Sequence, residues 1–307
     1  MLSFIRRRFL QSIVVIFIVT AVAFTLLRLA PGSPAILLIP PDMLTAEAIA
    51  EKEAEMGLDR PVVVQFVEYL GNLVRLDFGD SLVYKQPVLR IILQRLPHTI
   101  RLGIATIILA IVLAVPLGIF AGANRGKILE TFCMVFALLG QSMSSMWLGV
   151  LCIFLFAVKL GWLPAIGTGG LKYMIMPVFT MGYPMAATLT RVARSGMVDT
   201  LSEDYITATY AKGMSKFKVY TKYALRNALI PVSTMIGINL GASLGGAVVV
   251  EQVFSWTGIG QLMNQSIGTR DYLMVQTVLL IIAFSFTFIN FMVDIINSFI
   301  DPRLSLN

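Results

Sequence analysis

The sequence predicts an all-α integral membrane protein with six transmembrane helices. Of its 307 residues, 57% are apolar and only 13% are charged. An ordinary soluble domain carries about 25% charged residues, so this chain has too little polar surface to face water alone. Its Lys and Arg residues lie mainly between apolar runs, which explains the net charge of +7 without nucleic acid as a partner.

Six apolar runs of about 18 residues or more define the predicted spans. They cover residues 9–29, 99–121, 132–158, 173–190, 229–250 and 273–299. The first run follows three arginines and could be a cleavable signal peptide. Its length of about 20 residues and the lack of a small-x-small cleavage site favour a retained helix.

The orientation of these spans follows from the placement of Lys and Arg. Thirteen of them lie in the N-terminus, the second-to-third loop, the fourth-to-fifth loop and the C-terminus. The short loops on the other side hold three, namely Lys159, Lys172 and Arg270. Because cytoplasmic loops carry the excess of positive charge, both termini are predicted to be cytoplasmic.

This orientation divides the chain into three parts. Residues 1–30 form a cytoplasmic N-terminus and the first span, 31–97 an extracytoplasmic segment, and 98–307 a five-helix core with a cytoplasmic loop at 194–228. In the outer segment, Thr45 can cap one helix and Pro61 can begin another. An amphipathic stretch from Pro87 is expected in the outer interface. A disordered loop is the alternative for this segment.

The loop 194–228 contains two helical patterns separated by Gly213. Ser202 is predicted to cap the first helix, and the second begins at Ser215. Gly213 can adopt the left-handed conformation that a sharp turn requires. A short exposed helix with small residues on one face is suited to dock in a groove of another protein.

This loop carries a family resemblance. The stretch Asp204-Tyr-Ile-Thr-Ala-Thr-Tyr-Ala-Lys-Gly213, followed by Arg226-Asn-Ala-Leu-Ile-Pro231, resembles the "EAA" loop of ABC importer permeases. Its form is similar to that of the dipeptide, oligopeptide and nickel branch, in which Thr-Ala-Thr replaces Glu-Ala-Ala. Further matches in the same order are Gly57-Leu-Asp-Arg-Pro61, Asp77-Phe-Gly-Asp-Ser81 and Glu251-x-x-Phe254-x-Trp256-x-Gly258-x-Gly260. The chain looks most like a DppB/OppB-like subunit.

The resemblance implies a type I ABC importer permease fold in a bacterial inner (cytoplasmic) membrane. Its implied partners are a second homologous permease, two cytoplasmic ABC ATPase subunits that carry ATP and Mg, and an extracytoplasmic substrate-binding protein. The chain itself is then no enzyme and binds no cofactor or metal directly. Peptides are the expected cargo, with nickel chelates, glutathione or oligosaccharides as alternatives.

Three groups of candidate functional residues follow from the sequence and this resemblance. The ATPase-coupling loop comprises Asp204, Tyr205, Ala208, Thr209, Ala211, Lys212, Gly213, Arg226, Asn227 and Pro231. Gly237, Gly241, Gly245 and Gly246 of the fifth span are expected to line the translocation path or the seam with the second permease, and internal packing is the alternative. Glu251, Phe254 and Trp256 are candidates for an outer gate.

Two other classes of function compete with this interpretation. A gradient-driven transporter or channel would more often show charged residues within its spans or inverted repeats. A membrane-embedded enzyme would need a catalytic constellation, and none stands out. The segment 122–127 resembles a P-loop only superficially, because it is one residue short between its glycines and lacks the final Ser/Thr. Energy must therefore come from a partner or a gradient.

Overall fold

The computed structural model describes residues 2–29 and 32–300. Within them the chain is almost wholly helical, and the β-type pairing is an isolated bridge between Asp80 and Pro87. The helices are α1 (Leu2–Leu29), α2 (Ala46–Glu55), α3 (Val62–Val74), α4 (Val88–Ala123), α5 (Ile128–Ser142), α6 (Ser145–Cys152), α7 (Leu171–Leu201), α8 (Asp204–Ala211), α9 (Lys216–Lys218), α10 (Leu225–Val253), α11 (Ile259–Gly268) and α12 (Tyr272–Ile300).

Short irregular helices connect several of these elements. Two 3₁₀ turns, Pro34–Leu38 and Pro41–Met43, follow α1. A π-helical segment, Ile153–Lys159, continues α6, and another, Val219–Ala224, joins α9 to α10. These π segments change the angular spacing of side chains, so a period of 3.6 residues does not describe them.

The long helices correspond to the six predicted spans. Among the described residues, α1 from Arg6, α4, and α12 as far as Val293 are long and apolar enough to cross a membrane singly, and α5 with α6 passes as a bent pair. Helices α7 and α10 have 31 and 29 residues. At 1.5 Å per residue they reach about 43 Å or more, which exceeds the ~30 Å hydrocarbon core.

Two predicted segments have a different helical form in the structure. The third predicted span, 132–158, is not one straight helix, because α5 and α6 meet at a bend of 101°. Met143 and Ser144 have extended backbone there, within the polar stretch Gln-Ser-Met-Ser-Ser at 141–145. The amphipathic stretch after Pro87 is continuous with the second span, and its place in the outer interface stays a prediction. It forms the first turns of α4, which continues through Pro97.

The segment between the first two spans contains the expected helices. Thr45 caps α2, since its hydroxyl accepts the backbone N–H of Ala48 at 3.2 Å. Pro61 directly precedes α3 and is its N-cap, one position earlier than predicted. Arg28 at the end of α1 donates from Nε to Gln65 Oε1 at 3.0 Å. Because this bond joins α3 to α1, the segment is packed against the bundle.

Helix α7 lies at the centre of the bundle, where it packs against α4, α5 and α10. Its contact with α4 depends on two glycines. A Cβ at Gly118 would overlap the side chain of Ala193, and one at Gly122 would lie 2.5 Å from Met197 Cβ. Both glycines therefore allow the close packing of α4 against α7.

Candidate functional site

Helix α8 is the centre of the loop 194–228. Only Ile206 and Thr209 of its eight residues are buried. Ile206 packs in an apolar cluster with Met197 of α7 and with Val219, Ala224 and Ala228 near the start of α10. This packing holds α8 against the bundle by one side and leaves its other side exposed.

The two ends of α8 differ in how well the sequence predicted them. Gly213 has φ +78°, so the predicted left-handed turn is confirmed. The prediction that Ser202 caps α8 was wrong. Ser202 ends α7 and its hydroxyl donates to the carbonyl oxygen of Val198 at 2.9 Å, while Glu203 occupies the N-cap position of α8. The physical reason is that α7 continues through Leu201 and leaves no room for an earlier cap.

Most predicted coupling residues lie on the exposed surface. These are Asp204, Tyr205, Ala208, Ala211, Lys212, Gly213, Arg226, Asn227 and Pro231. Thr209 is instead buried, and its hydroxyl donates to the carbonyl oxygen of Tyr205 at 2.7 Å. It therefore contributes to the packing of α8 and exposes little surface to a partner.

The structure brings the two halves of the loop motif together. Asn227 Nδ2 donates to the hydroxyl of Tyr205 at 2.7 Å, although the two residues are 22 positions apart. Beside this bond lies a cleft of about 620 Å³ that Arg226 also lines. Sequence reasoning missed Lys222 and Tyr223, which line the same cleft. Both lie in the π-helical segment, where side-chain positions cannot be read from α-helical spacing.

Tyr210 lies on the exposed side of α8 close to Tyr220. Partial burial raises the pKa of Tyr210, and a hydrogen bond with the neighbouring Tyr220 raises it further. The exposed surface of α8 therefore takes its charge from Asp204 and Lys212 and not from Tyr210.

The glycines of α10 do not all lie in the same environment. A Cβ at Gly237 would overlap the side chain of Val293, and one at Gly241 would lie 2.7 Å from Asn290 Nδ2. Both glycines therefore serve close packing against α12 of the same subunit, which is the alternative that the sequence left open. Gly245 is exposed with no atom within 4 Å of a Cβ there. The structure does not describe what surrounds Gly246. A role at the translocation path or at the seam with the second permease therefore stays a prediction for Gly245 and Gly246.

A fully buried carboxyl group joins α10, α11 and α4. Glu251 near the end of α10 accepts the backbone N–H groups of Gly260 and Gln261 at 2.7 and 3.1 Å. It also accepts the hydroxyl of Thr99 at 2.6 Å. The same hydroxyl oxygen accepts the N–H of Ile259 at 3.0 Å. Together the two side chains satisfy the first free donors of α11 and place a negative group at its N-terminus.

The other residues of the family match from Glu251 to Gly260 fill the space around Glu251. Phe254 and Trp256 are 2% and 1% exposed, and Trp256 Nε1 donates to the carbonyl oxygen of His98 at 3.2 Å. Gly258 must lack a side chain because a Cβ there would overlap the Glu251 carboxyl group. A Cβ at Gly260 would lie 2.5 Å from Val248 Cα. The residues predicted as an outer gate thus form a buried anchor, and their role in gating stays a prediction.

The helical membrane fold, the loop 194–228 and the segment 251–260 define a class of protein, the membrane-embedded permease of a transport system. Residues 114–306 match the family described as "Binding-protein-dependent transport system inner membrane component", and residues 1–103 match its N-terminal component. The chain belongs to this family and is a multi-pass inner-membrane protein, the transmembrane permease subunit of an ABC importer. The prediction of an ABC importer permease of the DppB/OppB-like type is confirmed.

Similar proteins support this assignment along the whole chain. The glutathione transport system permease protein GsiC of Escherichia coli (strain K12) is 38% identical over 304 residues, which cover 99% of each chain. The protein of the same name from Salmonella typhimurium (strain LT2) has the same identity and coverage.

Solved structures show the fold. The inward-facing MetNI methionine ABC transporter matches 69% of this chain and 96% of its own chain, with a TM-score of 0.59 and 20% identity. An amino acid ABC transporter matches 70% and 94%, with a TM-score of 0.53 and 12% identity. The predicted type I permease fold is confirmed.

Proposed function

We propose that this permease imports a short peptide of the glutathione class. The observation that carries the proposal is the 38% identity to glutathione transport permeases across 99% of both chains. Glutathione is a tripeptide, so this cargo lies within the peptide import expected of the branch that the loop 194–228 resembles. Nickel chelates and oligosaccharides are the competing cargoes.

The proposed complex contains a second homologous permease, two ATPase subunits that carry ATP and Mg, and an extracytoplasmic substrate-binding protein. The exposed side of α8 supports this arrangement, because a short helix held by Ile206 can move as a unit with a protein bound to it. ATP hydrolysis is assigned to the ATPase subunits, and the permease transmits their closure to its spans by rigid-body motion.

The proposed orientation places both termini and α8 in the cytoplasm. Its support is the distribution of charge, in which the loop 194–228 and its flanking Arg191 hold seven of the Lys and Arg residues. In this orientation the segment containing α2 and α3 faces the binding protein.

Reconstitution of the complete complex in proteoliposomes tests the function. We expect ATP-driven uptake of labelled glutathione and an ATPase rate that rises when the binding protein and glutathione are added. Excess short peptides should compete with this uptake, whereas a nickel chelate or an oligosaccharide should not. Uptake by the permease without ATPase subunits, driven by an ion gradient, would contradict the proposal.

A further inference from the structure

A groove with polar and apolar lining lies along α4, α5, α7 and α10, and it extends from Ser243 of α10 to the exposed Arg191 near the end of α7. It consists of two cavities of about 300 and 430 Å³, which share Gln141 and Thr188 as lining residues. Ligand pockets in proteins commonly have volumes of ~300–1,000 Å³. The groove is therefore large enough to hold a small solute.

One part of this groove is lined by apolar side chains of α7, among them Met181 and Met185, and by neutral hydrogen-bonding side chains of α4 and α10. The latter include Thr106, Asn239 and Ser243. Thr106 is fully buried, and within the described residues its hydroxyl has no hydrogen-bond partner. Asn239 donates from Nδ2 to the carbonyl oxygen of Met235 at 2.7 Å, and no described donor bonds its Oδ1. In a membrane interior an unpaired polar group costs several kcal/mol, so Asn239 Oδ1 needs water or a polar solute, whereas the enclosed Thr106 hydroxyl is reached by neither.

A guanidinium group lies at one end of the groove. Arg191 donates to the neutral amide of Gln141, and no carboxylate of the described residues pairs with it. Its neighbour Arg194 is different, because it forms an ion pair with Glu130 whose Nε–Oε1 distance is 2.8 Å. Arg191 thus keeps donors free for a carboxylate, which guanidinium groups bind in a bidentate manner.

We propose that this groove is a subsite of the translocation path that holds a short peptide with a free carboxylate. Arg191 binds the carboxylate, and the side-chain amides of Gln141 and Asn239 bond the peptide groups. The proposal rests on the proposed import of a short peptide. It assigns the path to the faces of α5, α7 and α10 that carry these residues, away from Gly237 and Gly241, which pack against α12.

Uptake by the reconstituted complex tests the carboxylate contact. We expect Arg191→Gln to lower ATP-driven uptake of subsaturating glutathione about tenfold, the effect of losing one charge-assisted hydrogen bond. Arg191→Lys should restore part of it, and ATP hydrolysis should stay within about twofold of wild type. The matched control is Arg125→Gln, which removes an exposed arginine outside both cavities.

Thiol labelling of the assembled complex tests whether the groove contains water and solute. We expect Asn239→Cys to react with a charged thiosulfonate reagent and S-methylglutathione to slow the reaction. Ile104→Cys, at an exposed apolar position on α4, should react slowly with or without the peptide. An unreactive Asn239→Cys would show that the second permease fills the groove and would overturn the proposal.

The outcomes separate this subsite from the broader function. If wild type and Arg191→Gln take up glutathione equally, the subsite is wrong and peptide import stands. If the wild-type complex takes up no glutathione, peptide import fails and the carboxylate contact fails with it.

Discussion

At the scale of single residues, Glu251 shows how one buried carboxyl group can be stable inside a membrane protein. A buried charge is costly unless it is fully hydrogen-bonded. Here three donors converge on its two oxygens, from Thr99, Gly260 and Gln261. The N-terminus of α11 adds a favourable dipole. The carboxyl group therefore fixes three helices relative to one another.

We predict that Glu251→Gln destabilises the protein by about 2–3 kcal/mol, because its –NH₂ group would face backbone N–H donors that now have an acceptor. Glu251→Ala should cost at least as much, since it also leaves a cavity. Thermal unfolding of the detergent-solubilised protein measures both effects. The control Glu51→Gln, at an exposed position of α2, should change little. A wild-type unfolding temperature for Glu251→Gln would contradict this role.

At the scale of elements, helices α8 and α9 depend on the turn between them. Gly213 has φ +78°, and no atom lies within 4 Å of a Cβ placed there. A substitution at this position therefore causes backbone strain without a steric clash. Left-handed conformations cost L-residues roughly 1–2 kcal/mol, which is enough to change how α8 is presented.

We predict that Gly213→Val uncouples ATP hydrolysis from uptake, because a β-branched residue tolerates the left-handed turn poorly. The measurement is the ratio of glutathione transported to ATP hydrolysed, and we expect it to fall severalfold. Gly126→Val is the matched control. Gly126 also has φ +78° and open space around it, but it lies in the turn between α4 and α5. Equal coupling ratios in the two variants would contradict the role of α8.

At the scale of the whole molecule, the two ends of the bundle have different tasks. The exposed helix α8 lies in the loop between α7 and α10, and the Glu251 anchor lies at the far end of α10, where α10 meets α11 and α4. Helix α10 thus connects the coupling loop to the anchor.

We predict the orientation of the bundle in the membrane from the distribution of charge, and single cysteine substitutions can test it. Ser202→Cys should react with an impermeant maleimide in inside-out vesicles and remain unreactive in intact spheroplasts. Glu55→Cys, in α2, should show the opposite behaviour. The native Cys133 and Cys152 are buried, so their background should be low. Labelling of Ser202→Cys from outside the cell would reverse the proposed topology.

Much of the fold could be predicted because it depends on local patterns. Apolar length located the six spans, Thr45 was recognised as a cap, and Gly213 was recognised as a left-handed turn. The bend at Met143 could not be predicted from hydropathy, because a broken span and a straight one have the same mean composition. The prediction that Ser202 caps α8 was wrong, because the position of a helix cap depends on where the preceding helix ends.

The candidate sites show the same limit more strongly. The motif of the loop 194–228 predicted the coupling residues, but the bond between Asn227 and Tyr205 spans 22 positions and has no local signal. The glycines of α10 share one spacing, yet two pack against α12 and Gly245 is exposed. Spacing shows that a close approach is possible and does not identify the neighbour.

The sequence by itself determined that this chain crosses a membrane by six helices and belongs with ABC importer permeases, because hydropathy, charge placement and short motifs are local properties. The tertiary structure alone decided that the segment from Glu251 to Gly260 forms a buried anchor, that α5 and α6 form a bent pair, and that Arg191 and Asn239 line one groove. These features depend on which helices meet, and that choice is made by packing and by satisfaction of buried polar groups across the whole bundle.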